Sequence, residues 1–359
     1  MNKFLYLFIS AFMLAMIPTA MAEEGKKAMC FGGAITAKGW PDEVQEIKYE
    51  ASIDQSTQPA LIYAAKCNEK RPLLVGLHTW SGDYTQNEGN AVYARWCIEN
   101  DWNFIYPHFR GPNNTPEACG SDKVVQDIAD AVEYMTKLYN VDPKSIYLVG
   151  VSGGGYAALL MAGRKPDLWA GISAWAPISD IRAWWEQKSP QNSKYAQHIE
   201  NAIGGRPDPD KAAASECVKR SPVTYLQQAS GVNLDINAGT TDGHKGGSVP
   251  FTHSLYAFNR VVQNKDQVAT DFIESFYKTQ ILPPGAKQPE SDPLYGKKPV
   301  VFRKVSKNTR VTIFQGKHEI IHIAALNWLA KQRKGQPANW NVTIEHDLKT
   351  DYKESDSGK

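Results

Sequence analysis

A serine set among glycines is the feature of this sequence best suited to chemistry. Ser152 lies in Gly150-Val-Ser-Gly-Gly154, directly after the apolar residues 146–149. Gly-x-Ser-x-Gly between a strand and a helix is typical of a nucleophile elbow, a tight turn that raises the serine hydroxyl above the carboxyl end of a sheet. Glycines allow strand and helix to approach closely there. We therefore predict that Ser152 is a nucleophile, although a glycine-rich turn with an inert serine would show the same pattern.

A serine nucleophile needs a histidine to accept its proton and a carboxylate to orient that histidine. Asp242 follows a predicted seventh strand at 234–238, and His318 follows a predicted eighth strand at 310–315. Because the carboxyl ends of parallel strands meet at one edge of a sheet, both residues should lie near Ser152. The order serine, acid, histidine therefore predicts a catalytic triad of Ser152, Asp242 and His318.

Three other residues compete for the roles of acid and base. Asp180 follows the predicted sixth strand and could be the acid instead of Asp242. His244 and His253 could be the base, but they flank the Asp242 loop and a helix predicted to begin near Val249. Surface or substrate contacts suit these two histidines better.

A metal site is a further alternative, because His318-Glu319-Ile-Ile-His322 matches the His-Glu-x-x-His pattern of zinc peptidases. Its third ligand would have to come from the polar end of the chain, where Glu345 and His346 lie. A catalytic histidine entering an amphipathic helix at 319–330 explains the same residues. We therefore expect serine chemistry with no metal or organic cofactor.

The oxyanion of an acyl-transfer reaction needs two backbone N–H donors, one of them from the residue after the nucleophile. That residue is Gly153, and the loop after the predicted third strand supplies the other. Trp80 is the expected second donor and Thr79 the alternative. His78 suits a structural hydrogen bond.

Aromatic side chains are plentiful, with ten tryptophans and sixteen tyrosines. In loops they could stack on sugar rings or aromatic acyl groups, although large aromatic residues also pack cores. Trp184 and Trp185, together with Arg110, are the candidate substrate contacts.

Alternating strands and helices would position these residues. Strands are predicted at 44–51, 59–65, 72–77, 103–106, 146–149, 169–175, 234–238 and 310–315, with helices at 87–99, 122–139, 156–164 and 319–330. Such alternation indicates an α/β fold, a mostly parallel eight-stranded sheet with helices on both faces, opened by an antiparallel hairpin. Insertions near 181–229 and 264–300 interrupt it.

The first residues predict export. Lys3, the apolar residues 4–17 and Ala20-Met-Ala22 form the pattern of a signal peptide over 1–22, with a membrane anchor as the alternative. Residues 23–340 are then expected to form one domain, followed by a polar tail at 341–359. The protein would be secreted or periplasmic, with no integral membrane segment in the mature chain.

Net charge limits the kinds of partner to expect, and the cysteine content indicates which covalent bonds to expect. A formal net charge of +2 gives no basic field for nucleic acid or an anionic membrane, so neither is expected as a partner. The five cysteines lack metal-ligand spacing and, in an oxidising compartment, favour disulfide bonds that leave one cysteine unpaired.

Several motifs together resemble one family, from about Pro72 to Leu329. They are Arg110-Gly111, Asp127-x-x-Asp130, Val141-Asp-Pro-Lys-Ser-Ile, the glycine-flanked Ser152, Pro166-Asp-Leu-Trp, Ala176-Pro177, Asp242 and His318-Glu319. The chain is similar to the catalytic domain of the prolyl oligopeptidase family. That resemblance implies an α/β-hydrolase fold with Ser152 as nucleophile, Asp242 as acid and His318 as base.

The sequence departs from the family in two ways that bear on the substrate. We expect no β-propeller before the domain, because only about 50 residues of the predicted mature chain precede the third strand, and Gly153 stands where the family has a tyrosine after the nucleophile. Compact secreted members of the superfamily are often esterases, including carbohydrate esterases. We expect a serine hydrolase that cleaves small-molecule or glycan esters through an acyl-enzyme. A serine peptidase and an inactive hydrolase-fold binding protein are the alternatives.

Overall fold

The computed structural model describes residues 39–209, 211–245 and 247–345. The predicted signal peptide, Cys30 and the end of the predicted polar tail from residue 346 lie outside these residues. Among the helices described, none is long and apolar enough to cross a membrane.

A single mixed sheet organises the described residues. Its strands are β1 (Gln45–Glu50), β2 (Thr57–Tyr63), β3 (Arg71–Leu77), β4 (Asn103–Pro107), β5 (Val141–Val151), β6 (Gly171–Trp175), β7 (Leu234–Gly239), β8 (Val300–Ser306) and β9 (Thr309–Phe314). Their order in the sheet is β1-β2-β4-β3-β5-β6-β7-β9-β8. The inner strands from β4 to β9 run parallel, and β1, β2 and β8 pair antiparallel at the edges. The opening hairpin is therefore confirmed.

The prediction of eight strands is wrong by one. β8 forms a hairpin with β9, in which Ser306 pairs with Thr309 across Lys307 and Asn308. Lys307 adopts a positive φ of 50° at this turn. Only alternate residues near the start of β8 are buried, and Arg303 and Lys304 interrupt the apolar pattern. An edge strand with so short an apolar stretch gives a weak signal in the sequence.

Helices cover both faces of the sheet. They are α1 (Ala91–Glu99), α2 (Asp122–Leu138), α3 (Gly153–Arg164), α4 (Ile181–Lys188), α5 (Lys194–Ile203), α6 (Ala212–Arg220), α7 (Thr252–Val261), α8 (Thr270–Thr279) and α9 (His322–Ala330). Apolar side chains of α2, α3, α7 and α8 join one core, and those of α1 and α9 join another. Two apolar cores separated by a sheet require helices on opposite faces. The expected α/β-hydrolase fold is confirmed.

The first predicted insertion, near 181–229, contains three α-helices. Buried side chains of α4, α5 and α6 form a third apolar cluster together with Trp80 and Tyr156. Trp80 follows β3, and Tyr156 lies in the first turn of α3. The three helices therefore pack over the edge of the sheet where the elbow lies.

The predicted disulfide bonds are not supported by the structure. The four cysteines among the described residues, Cys67, Cys97, Cys119 and Cys217, are all free. Burial raises the pKa of the Cys119 thiol to about 11 and that of Cys217 to about 12. Thiols with such pKa values remain protonated and poorly reactive at neutral pH.

Candidate active site

Ser152 lies at a strained turn between β5 and α3. Its φ is 58° and its ψ is −119°, a conformation that non-glycine residues rarely adopt. The Ser152 N–H donates to Trp175 O at 2.9 Å, and its carbonyl accepts from Tyr156 N at 2.8 Å. A Cβ at Gly150 would lie 2.5 Å from the backbone of Gly154, so this position must be glycine. The backbone therefore fixes where the Ser152 hydroxyl can point.

Asp242 and His318 form a hydrogen-bonded pair at the ends of two neighbouring parallel strands, β7 and β9. His318 Nδ1 donates to Asp242 Oδ2 at 2.7 Å. The other carboxylate oxygen, Oδ1, accepts from Gly243 N at 2.9 Å and from Val249 N at 3.0 Å. Since Asp242 is wholly buried, these donors hold it in one orientation. A proton held on Nδ1 leaves Nε2 of His318 free to accept another.

The loop after β7 closes tightly over this pair. An added Cβ at Gly247 would come within 2.1 Å of Asp242 Oδ1 and 2.6 Å of His318 Cβ. Ser152 lies at the same edge of the sheet, but its hydroxyl has no hydrogen-bond partner among the described residues. In enzymes without substrate the catalytic hydrogen bonds are often long and tighten only when substrate binds.

The elbow and the loop after β3 meet beside the nucleophile. A Cβ on Gly153 would lie 2.3 Å from Trp80 N, so the elbow and the loop after β3 are in direct contact. The Thr79 N–H already donates to Gln86 Oε1 at 3.0 Å. The Trp80 N–H has no acceptor within the described part of the chain. This geometry favours Trp80 over Thr79 as the partner of Gly153.

The competing acid and bases are engaged elsewhere. Asp180 caps α4 and accepts from Ala183 N at 3.0 Å. His253 is 3% exposed, and burial lowers its pKa to about 3. Its Nδ1 accepts from Ser179 N at 3.2 Å. His244 Nε2 lies 3.0 Å from the carbonyl of Tyr277.

His78 lies in surroundings that suit the structural hydrogen bond predicted for it. Its two ring nitrogens lie 2.9 Å from the carbonyls of Thr79 and His108. The ring stacks on Phe109 at 3.8 Å between centroids. Burial lowers the pKa of His78 to about 4, so the imidazole is neutral at pH 7.

The zinc alternative conflicts with the backbone. α9 begins at His322, not at Glu319 as predicted, and His318 lies in the irregular segment before it. The two histidines therefore do not share one helix face, which the metal motif requires. Glu319 pairs with Lys298 and accepts from Lys317 N at 2.8 Å. The described residues contain no group of three side chains that could hold a metal ion.

Arg110 has a structural environment that argues against the predicted substrate contact. Its Nε donates to Asp127 Oδ2 at 2.6 Å, and Nη1 and Nη2 each lie 2.9 Å from a carboxylate oxygen of Asp54. The arginine side chain is only 6% exposed. Arg110 thus ties the turn after β1 to α2 and has little surface to offer a substrate.

Trp184 and Trp185 were also expected to contact substrate from a loop, and the structure instead buries both in α4. Trp184 packs edge-on against Trp80 at 4.7 Å between ring centroids. The Trp185 ring lies under the Arg206 guanidinium, and its Nε1 donates to Glu200 at 2.9 Å. Their roles in packing are evident, and no stacking surface is left on Trp184.

One side chain in this region was not among the predicted site residues. Lys188 lies one helical turn after Trp184 in α4 and is 6% exposed. Its spacing of four residues from a buried tryptophan would have placed it on the inner face of a helix. No helix was predicted in this segment, so the spacing alone did not point to Lys188.

A strained serine elbow and a buried Asp–His pair on a mostly parallel sheet define the class of α/β-hydrolase-fold serine hydrolases. The family model described as prolyl oligopeptidase family matches residues 94–273, half of the chain. The chain belongs to this family, as the resemblance implied.

Curated relatives include esterases and a peptidase. Feruloyl esterase B of Talaromyces funiculosus is 25% identical over 128 residues, covering 34% of this chain and 36% of the relative. A bifunctional acetylxylan esterase/xylanase of Neocallimastix patriciarum is 28% identical over 121 residues, 33% of this chain and 17% of the relative. Dipeptidyl aminopeptidase BIII of Pseudoxanthomonas mexicana is 24% identical over 203 residues, 53% of this chain and 28% of the relative. The matches thus span about a third or less of these relatives' lengths.

Solved structures with a similar chain path include the acylaminoacyl peptidase of Pyrococcus horikoshii and a thermostable esterase. The peptidase has a TM-score of 0.47 and 15% identity, with 61% of this chain and 35% of that chain covered. The esterase has a TM-score of 0.47 and 15% identity, with 81% and 63% covered.

Proposed function

We propose that this chain is an exported serine esterase that cleaves carbohydrate-linked or other small esters through an acyl-enzyme. Ser152 would be the nucleophile, His318 the base and Asp242 the acid, with the amides of Gly153 and Trp80 binding the oxyanion. The observation that carries the proposal is the 2.7 Å hydrogen bond between His318 and a wholly buried Asp242, at the same sheet edge as Ser152.

In this mechanism His318 Nε2 takes the proton of the Ser152 hydroxyl as its oxygen attacks the ester carbonyl carbon. The two amides stabilise the negative oxygen of the tetrahedral intermediate. His318 then gives its proton to the departing alcohol, and an acyl-serine remains. A water molecule repeats the sequence to release the acid. Asp242 stabilises the imidazolium formed in both halves of the reaction.

The preference for esters over peptides draws on two features. Two of the three curated relatives described above are named as esterases. Gly153 occupies the position where the peptidases of the family have a tyrosine. The alternative is a serine peptidase of the prolyl oligopeptidase type, which the similarity to a dipeptidyl aminopeptidase supports. The proposal that the protein is exported is based on the signal-peptide pattern of residues 1–22.

The nucleophile can be tested with Ser152→Ala, which removes one hydroxyl from a position that the backbone fixes. We expect turnover of para-nitrophenyl esters to fall by at least about 10³-fold with an unchanged melting temperature, because the attacking atom is lost. A fluorophosphonate probe should label the parent enzyme and the exposed-serine control Ser230→Ala, but not Ser152→Ala. Turnover within tenfold of the parent, or labelling of the variant, would remove Ser152 from this role.

The substrate class needs a separate comparison on the parent enzyme. Acetylated and feruloylated glycans, para-nitrophenyl esters and dipeptidyl amides should be assayed at equal concentration. We expect the largest kcat/KM on one of the esters. A larger value on a dipeptidyl amide would identify the protein as a peptidase with the same nucleophile.

A further inference from the structure

Lys188 is a buried lysine without a partner. Its side chain is at the carboxyl end of α4 and is 6% exposed. Among the residues that the structure describes, no hydrogen bond or ion pair reaches its Nζ, and that atom is not wholly shielded from solvent although the rest of the residue is buried. Lysine is almost never buried unless its charge is paired, because a desolvated ammonium is costly. A ligand that supplies the missing negative charge would explain this position.

Lys188 lies on the face of α4 that covers the candidate active site. Residues four apart share one helix face, so Lys188 and Trp184 point to the same side. Trp184 Nε1 donates to Ser248 O at 3.0 Å, and the adjoining Val249 N donates to Asp242. The Trp184 ring also touches that of Trp80. This face therefore runs from the proposed oxyanion donor to the segment that holds Asp242.

The electrostatic interactions of Lys188 with Asp242 and His253 are consistent with a location beside the candidate active site. Burial lowers the pKa of Lys188, and the nearby charge of Asp242 opposes that effect. The ammonium of Lys188 in turn helps burial to lower the pKa of His253. Asp242 accepts hydrogen bonds from His318, Gly243 N and Val249 N, and among the described residues no hydrogen bond or ion pair joins it to Lys188.

We propose that Lys188 binds a carboxylate of the substrate, so that the enzyme prefers esters whose acyl or alcohol part is negatively charged. The inference rests on the proposed esterase function and adds its substrate class. An ammonium–carboxylate pair is a charge-assisted hydrogen bond, and it is stronger where water is scarce. A neutral hydroxyl would leave the lysine charge uncompensated.

The same pairing would help the chemical step. When His318 becomes an imidazolium, it depends on the negative charge of Asp242. An unpaired Lys188 ammonium close to Asp242 partly neutralises that negative charge and repels the imidazolium of His318. A substrate carboxylate bound to Lys188 removes this competition. Anionic esters should therefore gain in kcat as well as in KM.

The test compares two isosteric substrate pairs that differ only in charge. Para-acetoxybenzoate and para-acetoxybenzamide carry the difference on the alcohol side. The para-nitrophenyl esters of para-carboxybenzoic and para-carbamoylbenzoic acid carry it on the acyl side. In at least one pair we expect the parent kcat/KM to be about 30-fold higher for the anionic ester, as one charge-assisted hydrogen bond provides. The pair that shows the preference identifies which side of the ester carries the charge.

Lys188→Met keeps the length and apolar stem of the side chain but removes its charge. We expect the anionic-to-neutral ratio to fall to about threefold or less in this variant. Lys188→Arg should keep part of the preference, and the exposed-lysine control Lys265→Met should keep the parent ratio. A Lys188→Met ratio within threefold of the parent ratio, or a parent without preference in both pairs, would overturn the proposal.

Binding and hydrolysis together separate this inference from the proposed function. In Ser152→Ala, calorimetry with para-hydroxybenzoate and terephthalate should detect binding that is lost in Ser152→Ala/Lys188→Met. If neutral esters are hydrolysed by Ser152 but neither carboxylate binds, only the role of Lys188 fails. If Ser152→Ala does not reduce the hydrolysis of any ester, anionic or neutral, or if the parent hydrolyses none, the proposed function itself fails.

Discussion

Asp242 uses its two carboxylate oxygens for different tasks. Oδ1 is held by two backbone N–H groups, which leaves Oδ2 to accept the proton on His318 Nδ1. An asparagine could keep the first contact, but its NH₂ group would face Nδ1 and donate to it. Nδ1 would then have to be the unprotonated nitrogen, and Nε2 would carry the proton that it needs to accept.

The first prediction at this scale compares Asp242→Asn with Asp180→Asn. We expect Asp242→Asn to lower kcat by about 10³-fold or more, because it stabilises the wrong histidine tautomer. Asp180→Asn should change kcat by less than about tenfold, since asparagine also caps a helix well. Steady-state kinetics of both variants, with melting temperatures as a check on folding, provide the measurement. Reversed results would move the acid to the end of β6.

Single residues also show what the sequence could and could not predict. The Asp242–His318 contact was predictable because both residues follow parallel strands, whose carboxyl ends share one edge. The choice between Trp80 and Thr79 was not predictable, since it depends on the Gln86 side chain accepting a hydrogen bond from the Thr79 N–H. The ion pairs of Arg110 were not predictable, because its two carboxylate partners lie 17 and 56 residues away in the sequence. Spacing alone does not report such contacts.

At the scale of elements, the contact between the elbow and the loop after β3 builds the proposed oxyanion site. Gly153 begins α3, and its Cα faces Trp80 so closely that a Cβ would lie 2.3 Å from Trp80 N and 2.4 Å from Trp80 Cα. Both atoms belong to the backbone, which cannot rotate away as a side chain can. Any added carbon must push the two segments apart.

Gly153→Ala tests this contact. We expect kcat for esters to fall by about 10²-fold, since the loss of one aligned oxyanion donor has an effect of that size. Gly231→Ala is the matched control, because an added Cβ at Gly231 meets no atom within 4 Å among the described residues. It should keep parent turnover. If Gly153→Ala also stays within threefold of the parent, the two segments do not form the oxyanion site.

The boundaries of helices were predicted well where the apolar periodicity extends over many residues. They were predicted poorly where tertiary contacts determine the end of the helix. α2 shows the first case, because its inward-facing residues repeat over four turns. α9 shows the second, since Ile320 and Ile321 continue the apolar pattern but are not helical. Glu319 contacts Lys298 and the Lys317 amide, and these bonds hold the segment outside the helix. His318 thereby gains the irregular backbone that lets it face Asp242.

At the scale of the whole molecule, buried neutral histidines link folding to pH. His78 and His253 are 0% and 3% exposed, and burial lowers their pKa values to about 4 and about 3. The unfolded chain binds protons at these residues near pH 6.5, whereas the folded chain does not. The stability they provide is therefore complete above pH 6.5 and is lost as the pH falls toward the folded pKa values.

His253→Asn tests this linkage. The asparagine keeps an acceptor for the Ser179 N–H but cannot be protonated in this range. Between pH 7 and pH 5, a histidine with a folded pKa of about 3 should cost the parent about 2 kcal/mol of unfolding free energy. The variant should start less stable at pH 7, because a buried ring is lost, yet lose about 2 kcal/mol less than the parent on acidification. Urea denaturation of both proteins at the two pH values measures the change in unfolding free energy within each protein, so the lower stability of the variant at pH 7 does not affect the comparison. An equal loss in parent and variant would mean that His253 binds a proton in the folded protein, and the Ser179 contact would then have to break as the pH falls.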